Sequence, residues 1–518
     1  MAEKIHLTTP VYYVNAEPHL GHTYTTVVVD TLARFHRSMG RDVFFLTGTD
    51  EHGDKIARAS EAKNQDPKQY AEGVSRIFRS TWDTCGISYD HFMRTTDDYH
   101  VAFVREVLQK VHDAGDIYFG EYGGRYCVGC ERFYADRELV DGKCPDHKTE
   151  PEWIAEENYF FRMSRYQDAL LAHLEANPEL ITPVGYRNEV LGLLREPIGD
   201  LCISRPKSRL TWGIELPFDD RYVCYVWFDA LINYLSALRH ARPDDWEAYW
   251  AGAHHFIAKD ILKPHSVFWP TMLMAAGIPV YRALHVHGYW TMDESKISKS
   301  LGNVIRPLDM RERFGMDGFR YFMLRDMAFG SDSSFTEKAF VERFNADLAN
   351  GIGNLVSRVL SMQHKYFEGR VQAINEDTER VADHTLEQAF VEAETRAIAA
   401  LERTMPHVAL EEIWKAVAAC NKYIVEMEPF KLWKDDEQKP RVGAVLHVLC
   451  DALRHLARLL APFMPETSAK IATLLGAEAG RLADPAPPWR RSFCPGHLVG
   501  QPERLFPRIE IEVDEVAK

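Results

Sequence analysis

The stretch from Lys4 to Gly40 sets the first constraint on the fold. A short β-rich segment, Lys4-Ile5-His6-Leu7 then Val11-Tyr12-Tyr13-Val14, runs into Asn15-Ala16-Glu17-Pro18-His19-Leu20-Gly21-His22. A helix follows with Val28, Leu32 and Phe35 on one face, and Gly40 suits a left-handed C-cap. A strand, a glycine-containing turn and a helix N-terminus together make an anion site, because unpaired N–H groups and the helix dipole point at the turn. His19 and His22 stand three apart there, where two imidazoles could donate to a phosphate whose charge grows in a transition state. Gly21 lacks a side chain, so a base or ribose could lie against its backbone. The same pair also reads as two partly exposed histidines capping a helix.

After that helix, Arg41-Asp42-Val43-Phe44-Phe45-Leu46 reads as a buried strand ending in the loop Thr47-Gly48-Thr49-Asp50-Glu51-His52-Gly53. A further helix is expected from about Asp97 to Ala114, closed by Gly115. This β-α-β-α order begins a doubly wound parallel sheet, Rossmann-like, whose ligands lie outside the carboxyl ends of the strands. Asp50 and His52 would lie at that edge; by themselves they are ordinary loop polarity.

From about Gly120 to Arg221, aromatics, glycines and short β-like pieces replace the alternation. Within this insert, Cys127-Val128-Gly129-Cys130 is followed by Cys144-Pro145-Asp146-His147. Three thiolates and an imidazole at Cys127, Cys130, Cys144 and His147 suit one tetrahedral structural Zn2+ with no open position, the alternative being plain thiols. Such a knuckle can supply on the order of 10 kcal/mol of apparent folding free energy.

The α/β pattern resumes at Arg221–Ala230, a strand leading into a helix with Leu231, Tyr234 and Leu235. His255–Ile261 then precedes a helix through His265, Phe268 and Met272, and Leu284–Tyr289 reads as another strand. Taken singly, Trp227, Tyr234, Ile261 and His265 read as core. In Ser295–Asn303, Lys296 and Lys299 with interleaved serines suit a polyphosphate loop or an exposed basic linker. Beyond Thr336, apolar residues recur every three or four positions, as in Phe340, Phe344, Leu348, Ile352, Leu355 and Val359, which predicts a helix bundle. The tail from Asp484 is Pro-rich, with a strand-like Arg508–Val513.

These shifts divide the chain into 1–119 and 222–290 as two halves of a nucleotide-binding domain, with 120–221 as the zinc-knuckle insert between them. The remainder divides into 291–335 with the lysine loop, 336–483 as an α-helical domain and 484–518 as the tail. Three or four domains fit 518 residues. The net charge of -15 argues against broad, non-specific nucleic-acid binding but leaves room for a specific partner on a local basic surface. Nine unevenly spaced cysteines do not form a secreted disulfide framework. With no signal peptide and no apolar run of membrane length, the expectation is a cytoplasmic chain with no membrane contact.

In this order the pieces resemble the class I aminoacyl-tRNA synthetases, and among them the bacterial methionyl-tRNA synthetase family. His19-Leu20-Gly21-His22 is similar to the HIGH signature, and Lys296-Ile297-Ser298-Lys299-Ser300 to the KMSKS loop. Tyr12–Pro18, Thr49–Gly53, Trp227-Phe228-Asp229-Ala230 and the zinc knuckle match as well. The resemblance implies that ATP binds at Gly21, His19, His22, Lys296 and Lys299, with Mg2+ bridging phosphate oxygens. The histidines and lysines would be catalytic, in formation of methionyl-adenylate and transfer of the methionyl group to the 3′-terminal adenosine of tRNA(Met), initiator included. It implies a methionine pocket of Val11, Tyr13, Asp50, Trp227, Ala230, Leu231, Tyr234, Ile261 and His265, with a hydrogen bond from Tyr234 or His265 to the thioether sulfur. It also implies anticodon reading by Asn354 and Arg358. Phe430 follows Pro429 where the family usually has a Trp, with Trp433 three residues on, and Ala258 stands where the family usually has Gly. No appendage is read after Lys518, and a monomer is expected. A synthetase for leucine, isoleucine or valine would carry a larger editing insert, a cysteine enzyme an open zinc position, and a retired, non-catalytic relative would have lost a histidine or lysine.

Overall fold

The computed structural model describes residues 2–127, 132–134, 139–145, 148–292, 304–490 and 492–510. The chain divides into two compact units, one of Glu3–Val29 with Asp42–Gly288 and the other of Asp30–Arg41 with Tyr289–Lys518.

The first unit is built on a six-stranded sheet of β1 (Lys4–Tyr13), β2 (Asp42–Asp50), β3 (His91–Arg94), β4 (Ile181–Thr182), β5 (Ala253–Ala258) and β6 (Ala283–His287). The order is β3-β2-β1-β5-β6-β4 and every pairing is parallel. Strand order reverses direction at β1, which opens a crevice at the carboxyl ends of β1 and β5. Helix α1 (Leu20–Ser38) follows β1, and Gly40 takes the left-handed conformation, φ 77°, that stops it.

The β-rich segment forms one strand, β1, whose register with β2 shifts between Thr8 and Val11, where Pro10 cannot donate. Two local expectations need correction. The expected loop Thr47–Asp50 continues β2, pairing Tyr13 with Asp50, and Thr47, Thr49 and Asp50 are buried. Gly48 permits this, since a Cβ there would lie 2.2 Å from the Met93 carbonyl oxygen on β3. The strand expected from Arg221 runs over Asp219–Cys224 and lies outside the parallel sheet, pairing antiparallel with Ser204–Pro206 and Glu215–Leu216. Edge strand β4 instead comes from inside the stretch read as an insert. That stretch also builds an antiparallel sheet of Ile117–Cys127, Arg132–Tyr134, Glu152–Phe161 and Leu201–Cys202.

The second unit is mainly helical. Thr336 caps Glu337–Arg343 by accepting the Ala339 N–H at 3.1 Å. Phe344–Gly353 winds as a π-helix and continues into Asn354–Phe367. Val381–Glu402, Pro406–Met427, Lys439–Leu460 and Pro465–Leu475 follow, and the apolar positions read from periodicity are buried. Arg320, fully buried, donates to Asp30 at 2.6 Å and to the Phe463 carbonyl at 2.7 Å. Arg508–Glu510, the described part of the strand-like tail, carries no strand.

Candidate active site

The His19–His22 turn folds back on its own backbone. The His19 carbonyl accepts the Thr23 N–H at 3.0 Å, so His19 is the N-cap of α1, and its Nδ1 accepts the Gly21 N–H at 3.1 Å. An accepting Nδ1 leaves the ring proton on Nε2. His22 Nδ1 likewise faces the His19 N–H at 3.4 Å. Both imidazoles are thereby set as Nε2–H donors, stacked with centroids 3.8 Å apart. Burial pushes both below the ordinary imidazole value, and for His22 the neighbouring His19 adds to the push. The helix-capping reading therefore does not exclude the donor reading, since the cap leaves Nε2 as the protonated nitrogen. At Gly21 the missing Cβ also makes room for the His19 ring, whose Cε1 would lie 3.1 Å away.

Val11, Tyr13 and Asp50 gather at the carboxyl edge, where Val11 pairs with Gly48 and Tyr13 with Asp50. Lys55 Nζ lies 4.7 Å from the Tyr13 ring centre. The residues after Asp50 are held from all sides. Glu51, fully buried, accepts two hydrogen bonds from Arg94 at 2.7 and 2.8 Å and one from Thr96 at 2.7 Å, while Trp212 donates to its carbonyl.

Asp229, which the sequence reading gave no role, is fully buried and bridges His52 Nδ1 at 2.7 Å and His100 Nε2 at 2.8 Å. Burial alone would raise its pKa, but the two histidines outweigh it and hold the carboxyl below its usual range. His100 Nδ1 lies 2.6 Å from the Ser236 hydroxyl. Sequence spacing carries no signal for such partners. The Trp227-Phe228-Asp229-Ala230 motif is the one sequence signal at this position.

The remaining predicted pocket residues meet around a π-turn, Pro264–Phe268. Trp227 is half-buried and edge-on to His265, 6.4 Å between centroids. Ala230, Leu231 and Tyr234 are buried on the segments Val226–Leu231 and Asn233–Ala241, and Ile261 is half-buried. His265 Nδ1 faces the Ile261 carbonyl at 2.9 Å and must donate to it, which leaves Nε2 to accept the Tyr234 hydroxyl at 2.7 Å. Burial pushes His265 down to about 4 and the Tyr234 phenol upward. Neither ring has a proton left for a sulfur atom in this arrangement, which corrects the expected donated hydrogen bond. Ala258 has φ −82° and ψ 158°, a backbone that needs no glycine.

Lys296 and Lys299 lie outside the described residues, as do Cys130 and His147. Cys127 and Cys144 are buried in one small cluster with Tyr134, and no metal-holding group is found among the described residues. In the second unit Asn354 is exposed, Arg358 half-buried one turn on, and Phe430 is 46% exposed.

Residues 5–360 match the family described as tRNA synthetases class I (M), and 373–517 match the anticodon binding domain of methionyl tRNA ligase. The chain therefore belongs to the class I aminoacyl-tRNA synthetases. The methionine–tRNA ligase of Caldanaerobacter subterraneus is 42% identical over 99% of this chain and 80% of its own length. That of Streptomyces coelicolor is also 42% identical, over 98% of this chain and 97% of its own length. The Mycobacterium tuberculosis methionyl-tRNA synthetase in complex with methionyl-adenylate superposes with a TM-score of 0.89 at 39% identity, covering 97% of this chain and 99% of its own. Within the class, this chain is a member of the methionyl-tRNA synthetase family, the aminoacyl-tRNA ligases specific for methionine.

Proposed function

We propose that His19 and His22 perform the first half of the ligase reaction here. The methionine carboxylate attacks the α-phosphorus of ATP in line, giving methionyl-adenylate and pyrophosphate, and the methionyl group then passes to a hydroxyl of the 3′-terminal adenosine of tRNA(Met), with AMP as the leaving group. As the attack proceeds, negative charge grows on the phosphorus oxygens. Two neutral Nε2–H donors at the positive end of α1 stabilise that charge with little reorganisation. The main-chain N–H contacts to both Nδ1 atoms, which set that tautomer, carry the reading. Lys296 and Lys299 hold the departing pyrophosphate as point charges. The chemistry of a bound Mg2+ is neutralisation of phosphate oxygens. Asp50 and Tyr13 take the substrate ammonium, and Val11 with Trp227, Ala230, Leu231, Tyr234, Ile261 and His265 enclose the thioether. With its proton given to His265, Tyr234 meets sulfur through ring and oxygen polarisability rather than by donation.

The same reading assigns Cys127, Cys130, Cys144 and His147 to one structural Zn2+ that stiffens the insert. The shared burial of Cys127 and Cys144 supports it. Asn354, Arg358 and Phe430 read anticodon bases of tRNA(Met), the divisions at 291–335, 336–483 and 484–518 follow, with 120–221 an insert that lends Ile181–Thr182 to the catalytic sheet, and a cytoplasmic monomer is part of the proposal. No helix among the described residues is long and apolar enough to cross a membrane.

Amino-acid-dependent pyrophosphate exchange tests the whole. Methionine is expected to support exchange, and His22→Ala to slow it by about a hundred- to a thousandfold. Exchange with leucine, isoleucine, valine or cysteine in place of methionine would refute the substrate assignment. Metal analysis is expected to give about one zinc per chain, lost in Cys127→Ala and Cys144→Ala.

A further inference from the structure

Behind the Tyr234–His265 pair lies an imidazole with no place in the pocket described so far. His255, on β5, is fully buried. The Trp269 indole N–H donates to its Nε2 at 3.3 Å, so the ring proton is on Nδ1 and goes to the Thr8 hydroxyl oxygen, 2.8 Å away on β1. Burial, helped by the imidazoles of His265, His6, His254 and His285, keeps the ring neutral. With both nitrogens tied to different elements, the ring can neither flip nor tilt without breaking a buried hydrogen bond.

Two tyrosines rest on this fixed plate. The Tyr234 ring lies over it at 4.1 Å and 32°, and the Tyr281 ring stands edge-on at 4.7 Å and 65°. These two hold His265 at both ends. Tyr234 donates to its Nε2 at 2.7 Å, and Tyr281 donates to its main-chain oxygen at 2.8 Å. We propose that His255 is a positioning residue for methionine selection: held by Thr8 and Trp269, it sets the two tyrosines that orient His265, and with them the polar face offered to the thioether. The proposal rests on reading Tyr234 and His265 as the thioether pocket. If His255 served packing alone, an apolar side chain would replace it without altering which amino acid is chosen.

The test measures kcat and KM for methionine and for norleucine, its hydrocarbon isostere, in pyrophosphate exchange. His255→Leu and Thr8→Val are expected to lower the methionine-to-norleucine ratio of kcat/KM about tenfold, with the KM for methionine moving more than kcat. His255→Gln, which can accept from Trp269 and donate to Thr8, is expected to recover most of the ratio. Thr8→Val is nearly isosteric and carries the test should His255→Leu fail to fold. Tyr234→Phe reports on the underlying reading. If Tyr234→Phe shifts the ratio while Thr8→Val and His255→Leu leave it at the wild-type value, the positioning role is overturned. If Tyr234→Phe itself leaves the ratio unchanged, the pocket reading falls and takes the proposal with it.

Discussion

The imidazoles of His19 and His22 lie face to face, 3.8 Å between centroids and 26° between planes. Two protonated rings at that distance would repel strongly, and burial already disfavours the charge on each. His19 also does two things at once. Its Nδ1 caps α1 through Gly21, and that bond leaves Nε2 as the donor.

The two roles of His19 separate in a pair of variants. His19→Ala is expected to lose about 1 kcal/mol of stability with the cap and about a hundred- to a thousandfold in exchange rate. His19→Asn, a good capping residue, is expected to recover the stability in a thermal melt but not the rate. An exchange rate near wild type in either variant would remove His19 from the phosphate chemistry.

The buried histidines of the first unit predict acid sensitivity. Burial takes His6, His265 and His287 from 6.5 down to about 4. Between those values the unfolded chain binds protons that the folded chain refuses, so stability that is present above pH 6.5 drains away as pH falls towards 4. Melting temperature is expected to drop steadily from pH 7 to pH 5. His287→Gln can still accept from Thr25, 2.8 Å away, and donate to the Gly288 carbonyl, and should make that slope shallower. A melting temperature that climbs on acidification would contradict this account.

For the anticodon, the choice between Phe430 and Trp433 turns on which ring is already covered. Trp433 stacks on Tyr366 at 4.6 Å and 25°, with Phe367 edge-on at 5.2 Å, whereas Phe430 is 46% exposed. Phe430→Ala is expected to raise the KM for tRNA(Met) by roughly ten- to a hundredfold, the loss of one stacked base, with exchange in the absence of tRNA little altered. Trp433→Ala should chiefly lower the melting temperature. The opposite assignment of effects would transfer the stacking role to Trp433.

Periodicity made the helical unit legible, because Phe340 to Val359 repeat at helical spacing and are buried as that spacing demands. It also found the strand near Arg221 but not its partners, since alternation encodes a strand and says nothing of which sheet receives it. Ile181-Thr182, two residues at the sheet edge, is too short for any pattern to register. The predicted pocket residues are readable because their motifs are local. Asp229 is not, because its partners, His52 and His100, lie 177 and 129 positions away. The tautomers of His19 and His265 depend on main-chain groups two and four residues off in folded turns, which no side-chain spacing reveals.

Asp451 predicts a pH response of the opposite sign, confined to the second unit. It is fully buried on Lys439–Leu460 and accepts the Arg490 N–H at 2.5 Å. The stretch around Arg490 is strapped down by neighbours on the same helix. Arg458 donates to the carbonyls of Arg481, Leu482 and Asp484, Arg454 to that of Ser492, and His455 stacks on Trp489 at 4.7 Å. Burial lifts the Asp451 carboxyl to about 7, against the hydrogen bonds from Arg490 and Ser492 and the charges of Arg454 and Arg490. A raised value means the folded state holds a proton that the unfolded chain releases near 4. The contribution is therefore complete below pH 4 and lost as pH rises through 7. Hydrogen exchange in a peptide covering 482–499, corrected for the intrinsic effect of pH, is expected to quicken between pH 6.5 and 8.5. Asp451→Asn keeps an acceptor for the Arg490 N–H but cannot ionise, so its exchange should stay level over that range. Equal pH dependence in the two proteins would mean that some group other than Asp451 governs the strap.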